Sequence, residues 1–290
     1  MTDLPPKRRV NISASGTGSG RIGASANWSD LGARVASAVV LIVLGALLVF
    51  SSGIWLCFGV ALLCGGMMWE LARLTAWRHA EYHSPRHPVL IGALGALTLL
   101  SMLLLPGDWP MVLVLVPILF GLPGTHVHDR VPYVVFTLLI LLAGYALVVV
   151  REVRGLETTL WIVATVVISD VMGYFAGRRL GGPKFWPSIS PKKTWSGTVA
   201  GWIGAMVLGL VLVLTGQAGW GVVIMGPILA FFGQMGDIAE SALKRRVGVK
   251  DSSDLIPGHG GLMDRFDAMA GALIAALIAM MIHILPQVGG

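Results

Sequence analysis

Two stretches of this chain concentrate residue types that handle phosphate and divalent metal. The longer begins Gly236-Asp237-Ile238-Ala239-Glu240-Ser241-Ala242-Leu243-Lys244-Arg245-Arg246. It continues through Lys250-Asp251 and Pro257-Gly258-His259-Gly260-Gly261, and closes on Asp264-Arg265-Phe266-Asp267. Asp237, Glu240, Ser241 and Lys244 are spaced 0, +3, +4 and +7, which puts them on one face of a helix. Acids beside a lysine at the mouth of an apolar span are costly unless paired, and such residues are functional by default. An internal ion pair of Asp237 or Glu240 with Lys244 satisfies the same pattern.

The glycines at 258, 260 and 261 let backbone approach a ligand closely. Asp264, Arg265 and Asp267 then fall in the first turn of the last helix, where a helix N-terminus favours anions. Carboxylates bind hard cations through oxygen, and Mg²⁺ usually takes one or two of them plus substrate phosphates and waters. Asp237 and Asp264, on two helices joined by the glycine loop, are placed to grip one such ion. A helix cap with a dipole-complementary acid is the competing reading.

The shorter stretch runs from Ser169-Asp170 through Gly173-Tyr174 and Arg178-Arg179 to Ser190-Pro191-Lys192-Lys193-Thr194-Trp195-Ser196-Gly197. Lys192 and Lys193, with the Ser190 and Thr194 hydroxyls, suit triphosphate oxygens. Lysines snorkelling to a membrane interface account for the same residues. Asp170 either pairs with Arg178, Arg179 or a lysine, or touches substrate. His79, His83 and His87 recur every four residues, but Pro85 and Pro88 break the helix that would align them. They read as solvated loop residues, as do His126 and His128, and Trp28, Trp77 and Trp109 read as interfacial anchors.

The elements that carry these stretches are apolar. Of 290 residues, 55% are hydrophobic and only 12% charged, too little polar surface to cover a soluble globule of this size. The expected fold is all-α, a polytopic membrane bundle of about nine transmembrane helices, because a lone strand cannot satisfy its backbone in lipid. The apolar runs lie near 34–50, 54–70, 89–105, 111–122, 132–150, 157–176, 197–215, 219–235 and 268–285. The fourth is short and bounded by Pro110 and Pro123, which fits a tilted or re-entrant piece. Residues 1–30 read as a disordered basic tail, 31–155 as N-terminal transmembrane helices and 156–290 as the catalytic membrane region. No cleavable signal peptide is expected, since the first apolar run starts near Val35 behind a long polar leader. Cys57 and Cys64 share one run, about 10 Å apart in rise, too far to bridge.

The net charge of +6 follows the membrane rather than a nucleic acid, and no nucleic-acid partner is expected. With the N-terminus in the cytoplasm, 19 of the 21 lysines and arginines fall inside and only Arg151 and Arg154 outside. Both chemical stretches then face the cytoplasm. No internal repeat is evident, which disfavours the many transporters built from repeats.

The longer stretch closely resembles the signature of the phosphatidate cytidylyltransferase (CDP-diacylglycerol synthase) family. The matching pattern is Ser241-x-x-Lys244-Arg245, four residues, Lys250-Asp251, then Pro257-x-His259-Gly260-Gly261 and Asp264-Arg265-Phe266-Asp267. It spans 27 residues with about a dozen specified positions. The Ser190–Trp195 run is similar to the family's second recurring motif. The resemblance covers roughly 160–285; the N-terminal half matches only in being several apolar spans. One departure is Val171-Met172, where the family often has small polar residues after the acid at 170.

The resemblance implies a multi-pass protein of the inner or plasma membrane, about nine helices and a homodimer. It implies CTP and phosphatidate as substrates, membrane lipid as surroundings, and Mg²⁺ on Asp237 and Asp264, with room for a second cation. Lys244, Arg265 and His259 join those acids as catalytic candidates. Lys192, Lys193, Ser190, Thr194, Ser241, Arg245, Lys250, Asp251, Gly260, Gly261 and Asp267 are substrate-binding candidates. His259 orients a phosphate, relays a proton or shapes the loop. Two rivals stand: a CTP-dependent transferase with an isoprenoid or other lipid acceptor, and a cation transporter. Transport would spread acids through the spans, whereas here they gather in two basic motifs.

Overall fold

The computed structural model describes residues 28–76, 86–256, 258 and 260–289. The basic tail before Trp28, the loop holding His79 and His83, and His259 lie outside the described residues.

Among the described residues there are eight α-helices: α1 (Trp28–Phe50), α2 (Gly53–Leu74), α3 (Arg86–Leu104), α4 (Leu115–Gly121), α5 (Arg130–Leu180), α6 (Trp195–Leu214), α7 (Gly221–Val247) and α8 (Met263–Met281). Among the described residues, five helical stretches are long and apolar enough to cross a membrane: Gly53–Leu74, Arg86–Leu104, Val127–Leu180, Trp195–Leu214 and Gly221–Val247. The shorter Val35–Phe50 and Trp109–Gly124 are apolar too. The second of these is the proline-bounded fourth run, folded as a 3-10 turn leading into α4. The runs at 132–150 and 157–176 lie in one element, α5, broken at Gly155, whose φ of 86° is non-helical. The polar Arg151–Arg154 linker is simply too short to leave the helical path. α8 is 19 residues long, but Asp264, Arg265 and Asp267 occupy its first turns and shorten its apolar stretch.

Among the described residues, one two-stranded sheet interrupts the helical bundle. Lys184–Trp186 (β1) and Ser190–Thr194 (β2) pair antiparallel between α5 and α6. The hairpin gives the backbone of this polar loop local partners, and Phe185 packs on Trp195 with ring centroids 4.6 Å apart. It delivers Lys192, Lys193 and Thr194 directly to the start of α6. Thr194 caps that helix, its hydroxyl accepting from the Gly197 amide at 3.3 Å.

The core runs between α2, α3, α5, α7 and α8, around Leu56, Met68, Ile91, Leu141, Ile162, Leu229 and Ala272. Both cysteines are buried in it and unbridged. Large apolar side chains such as Ile42, Leu62, Val131, Val207 and Ile224 are exposed instead, as lipid-facing side chains would be. The α7–α8 contact is set by small residues. A Cβ on Gly236 would stand 2.2 Å from the Asp267 carbonyl oxygen, and one on Gly271 2.1 Å from that of Phe232. This close approach brings the acids of α7 and α8 to one end of the bundle.

Gly271→Ala must therefore push α7 and α8 apart, at a cost of about 1–3 kcal/mol. A lowered thermal midpoint in detergent is expected, with Gly219→Ala as control, since nothing lies within 4 Å of a Cβ there.

Candidate active site

The first cluster lines a cavity of about 610 Å³ between α5, α6, α7 and the hairpin. Asp170, Tyr174 and Arg178 come from α5, Lys184, Lys192, Lys193 and Thr194 from the hairpin, and Gln234 and Asp237 from α7. Lys193 Nζ lies 2.6 Å from Asp237 Oδ2 and donates to the Gln234 carbonyl at 3.3 Å. Ser241 donates to Asp237 Oδ1 at 3.4 Å, one turn along α7. The hairpin and α7 are thus joined by a lysine–carboxylate pair that is part-exposed and able to open.

Gln234 is 7% exposed and fixes the cavity wall. Its Oε1 accepts from Trp202 Nε1 at 3.0 Å, and its Nε2 donates to Ser169 Oγ at 3.2 Å and to the Thr198 carbonyl at 3.3 Å. Its full set of partners locks α5, α6 and α7 together directly beneath Asp237.

The second cluster sits where α7 meets α8. Lys244 Nζ is 3.2 Å from Glu240 Oε1 and hydrogen-bonds Asp264 Oδ1. Asp264 Oδ2 accepts from the Ser252 amide at 2.8 Å, the Ser252 hydroxyl at 2.9 Å and the Gly261 amide at 2.8 Å. Burial raises the Asp264 carboxyl, but Lys244 and the Gly261 and Ser252 amides outweigh it and hold it at about 2. It is therefore ionised at any physiological pH. Glu240 is 1% exposed, and its Oε1 contacts Lys244 without hydrogen-bond geometry. Asp267 accepts from the Ala268 amide at 2.7 Å, capping its own turn.

The remaining candidates are dispersed. Ser190 begins β2 and does not line the cavity. Arg245 is exposed and donates to the Val249 carbonyl at 3.3 Å. Lys250 and Asp251 are exposed in the loop, and Arg265 is exposed at the start of α8. The Gly260 carbonyl accepts from the Ile256 amide at 2.9 Å, which closes the loop on itself. Among the histidines set aside from the sequence, His87 Nε2 lies 3.0 Å from the Phe120 carbonyl, and the His126 and His128 rings contact each other.

Two side chains were missed. Gln234 gave a weak signal, a lone amide in an apolar run. Glu70 gave a stronger one, a lone acid near the end of the second run. It is fully buried and reaches across from α2 to the signature loop. Its oxygens accept from the Ser252 hydroxyl at 3.1 Å, the Ser253 hydroxyl at 2.5 Å, and the Leu262 and Met263 amides at 2.8 and 2.7 Å. Reading the N-terminal half as mere spans concealed it.

Mg²⁺ takes oxygen donors in near-octahedral geometry. Among the described residues, no three His, Cys, Asp or Glu side chains gather as a ready-made cage. A nucleotide metal needs less, since phosphates and waters complete its shell. Asp237 fits: Oδ2 faces one movable ammonium and Oδ1 only the Ser241 hydroxyl. Asp264 can offer only Oδ1, on which Lys244 already sits, because Oδ2 takes three other donors.

Removing the Lys244 ammonium would leave Glu240 and Asp264 facing each other. Lys244→Met is expected to cost about 3–5 kcal/mol, as breaking a buried pair does. A scan of thermal unfolding in detergent should show a large drop for Lys244→Met and a small one for Lys244→Arg.

Comparison with known proteins gives one family and consistent relatives. The model of the "Cytidylyltransferase family" matches residues 32–285. A phosphatidate cytidylyltransferase from Brucella abortus is 44% identical over 129 residues, 44% of this chain and 47% of that protein. One from Bacillus subtilis is 37% identical over 204 residues, 62% of this chain and 74% of that protein. One from Haemophilus influenzae is 39% identical over 127 residues, 41% and 44% of the two chains. The chain thus spans about half the length of the first of these relatives.

Proposed function

The chain belongs to the cytidylyltransferase family, and we propose that it transfers a cytidylyl group from CTP to phosphatidate, releasing pyrophosphate and forming CDP-diacylglycerol. The observation that carries this reading is the cavity of about 610 Å³ that sets Lys192, Lys193, Lys184 and Arg178 against Asp170 and Asp237. A triphosphate needs several cations; the metal it carries needs a carboxylate. The relatives' shared name supplies the acceptor.

The reaction asks little covalent chemistry of the protein. A phosphate oxygen of phosphatidate attacks the α-phosphorus of CTP. The bond from that phosphorus to the bridging oxygen breaks, and pyrophosphate leaves with the electron pair. The nucleophile is already an anion, so no general base is required. Catalysis then rests on positioning and on stabilising charge as it spreads to the leaving group. Lys192 and Lys193 line the cavity and neutralise phosphate oxygens there. Lys193 can do so by turning from Asp237, which frees that carboxylate. Lys244 and Arg265 stand at the α7–α8 end, with the loop from Lys250 to Gly261 beside them. Mg²⁺, when bound, would be held by Asp237 with Asp264 Oδ1 and would offset charge on the phosphates.

The orientation proposed is a cytoplasmic N-terminus and site, in a multi-pass membrane bundle of about nine helices that forms a homodimer. Two contacts support the sidedness. Arg246 Nε donates to Asp129 Oδ1 at 2.9 Å, so the basic end of α7 meets the turn before α5. Arg151, one of the two arginines assigned outside, instead donates to the Val49 carbonyl at 3.0 Å, between α1 and α2. A phosphate at headgroup depth, with its acyl tails in lipid, could enter such a site sideways while CTP arrives from water.

Pyrophosphate release by the purified protein in detergent tests the reading. Release is expected only with CTP, phosphatidate and Mg²⁺ together, and to fall about 100-fold or more in Asp237→Asn. Release with an isoprenoid phosphate but not with phosphatidate would replace the acceptor. Full activity in Asp237→Asn would remove the metal assignment.

A further inference from the structure

Glu70 belongs to no motif, yet it has the most complete hydrogen-bond set of any acid in the described structure apart from Asp264. It lies in α2, in the half of the chain that otherwise supplies only spans. We infer that Glu70 is a positioning residue for the reaction proposed above: it sets the signature loop, and through Ser252 it sets Asp264 against Lys244.

The geometry is specific. Leu262 precedes α8 and has no side chain able to cap it, so the first amides of the helix need an acceptor from elsewhere. Glu70 supplies it, with one oxygen on the Leu262 amide and the other on the Met263 amide. A carboxylate at a helix N-terminus also complements the helix dipole. The same oxygens take the Ser253 and Ser252 hydroxyls, at the other end of the loop. One buried side chain therefore ties both ends of the loop to α2.

Ser252 makes the link to chemistry. Its hydroxyl lies 3.1 Å from Glu70 Oε2 and 2.9 Å from Asp264 Oδ2. A hydroxyl has one proton, so it bridges the two carboxylates and cannot fully satisfy both. The Ser252 amide adds a second bond to Asp264. The series Glu70, Ser252, Asp264, Lys244 is continuous. Gly261 is confined by the same clamp: a Cβ there would stand 1.9 Å from Ser252 Oγ and 2.5 Å from Glu70 Oε1. The second glycine of the signature is required because the Glu70 carboxylate passes beside it.

A simple helix cap would affect Leu262 and Met263 only. A positioning residue must also affect the donors that hold Asp264. Glu70→Gln keeps the shape but turns one acceptor into a donor, facing an amide and a hydroxyl. Hydrogen exchange resolved to single residues should quicken at Leu262 and Met263, and also at Ser252 and Gly261, which do not donate an amide to Glu70. In the pyrophosphate assay, kcat should fall at least tenfold while KM for CTP changes less than threefold. Ser252→Ala, which leaves Glu70 and the cap in place, should give the same split.

Exchange confined to Leu262 and Met263, with kcat unchanged, would reduce Glu70 to a cap and overturn the inference. If Glu70→Gln does not fold, Ser252→Ala decides by the same kcat criterion. If wild-type protein releases no pyrophosphate with any acceptor, the reaction is wrong, and exchange at Ser252 and Gly261 in Glu70→Gln still decides whether Glu70 holds Asp264.

Discussion

The site depends on the rule that charge at the mouth of a membrane bundle must be paired. Lys244 meets that rule for Glu240 and Asp264 at once, and Lys193 meets it for Asp237. Two of these pairs join separate elements, and the third, Lys244–Glu240, lies within α7. Lys193 ties the hairpin to α7, and Lys244 ties α7 to α8. Moving any of these elements alone would strand a charge in a poorly solvated place. The helices bring the ions together, and the ions in turn fix how the helices may sit.

Close packing makes this possible. The glycines at 236 and 271 let α7 and α8 approach until backbone meets backbone. Lipid offers no hydrophobic drive for helices to associate, so small residues and interhelical hydrogen bonds do that work. Gln234 is the polar counterpart, joining three helices through one buried amide.

Much of this was legible in the sequence. Apolar length gave the helices, and the one-face spacing of Asp237, Glu240, Ser241 and Lys244 is seen in α7 as the Ser241–Asp237 and Lys244–Glu240 contacts. Of the basic-hydroxylic run, Lys192, Lys193 and Thr194 share a cavity with Asp237, and Ser190 does not line it. Other features were hidden for physical reasons. The hairpin at 184–194 is too short and too polar to show a strand period. The break at Gly155 leaves no polar gap long enough to separate two spans. Asp237 and Asp264 share a bundle end, but each is engaged by its own lysine, and no spacing rule announces which pairs will form. Glu70 lies about 180 residues from its partners, so local pattern could not reveal what it touches.

The lysine–carboxylate pairs carry a consequence for how any polyanion would enter. Lys193 and Asp237 already neutralise each other in the resting site, so a triphosphate with its metal would meet that pair by exchange. Lys193 would trade a carboxylate for a phosphate, and Asp237 would trade an ammonium for a cation. The number of ion pairs is nearly conserved across such a swap. Affinity would then reflect the difference between two sets of pairs, and salt, which screens both sets, would weaken binding less than the count of lysines in the cavity suggests. At this pair the site would behave like an ion exchanger, favouring ligands that bring both signs of charge, because a bare anion offers nothing to the vacated carboxylate.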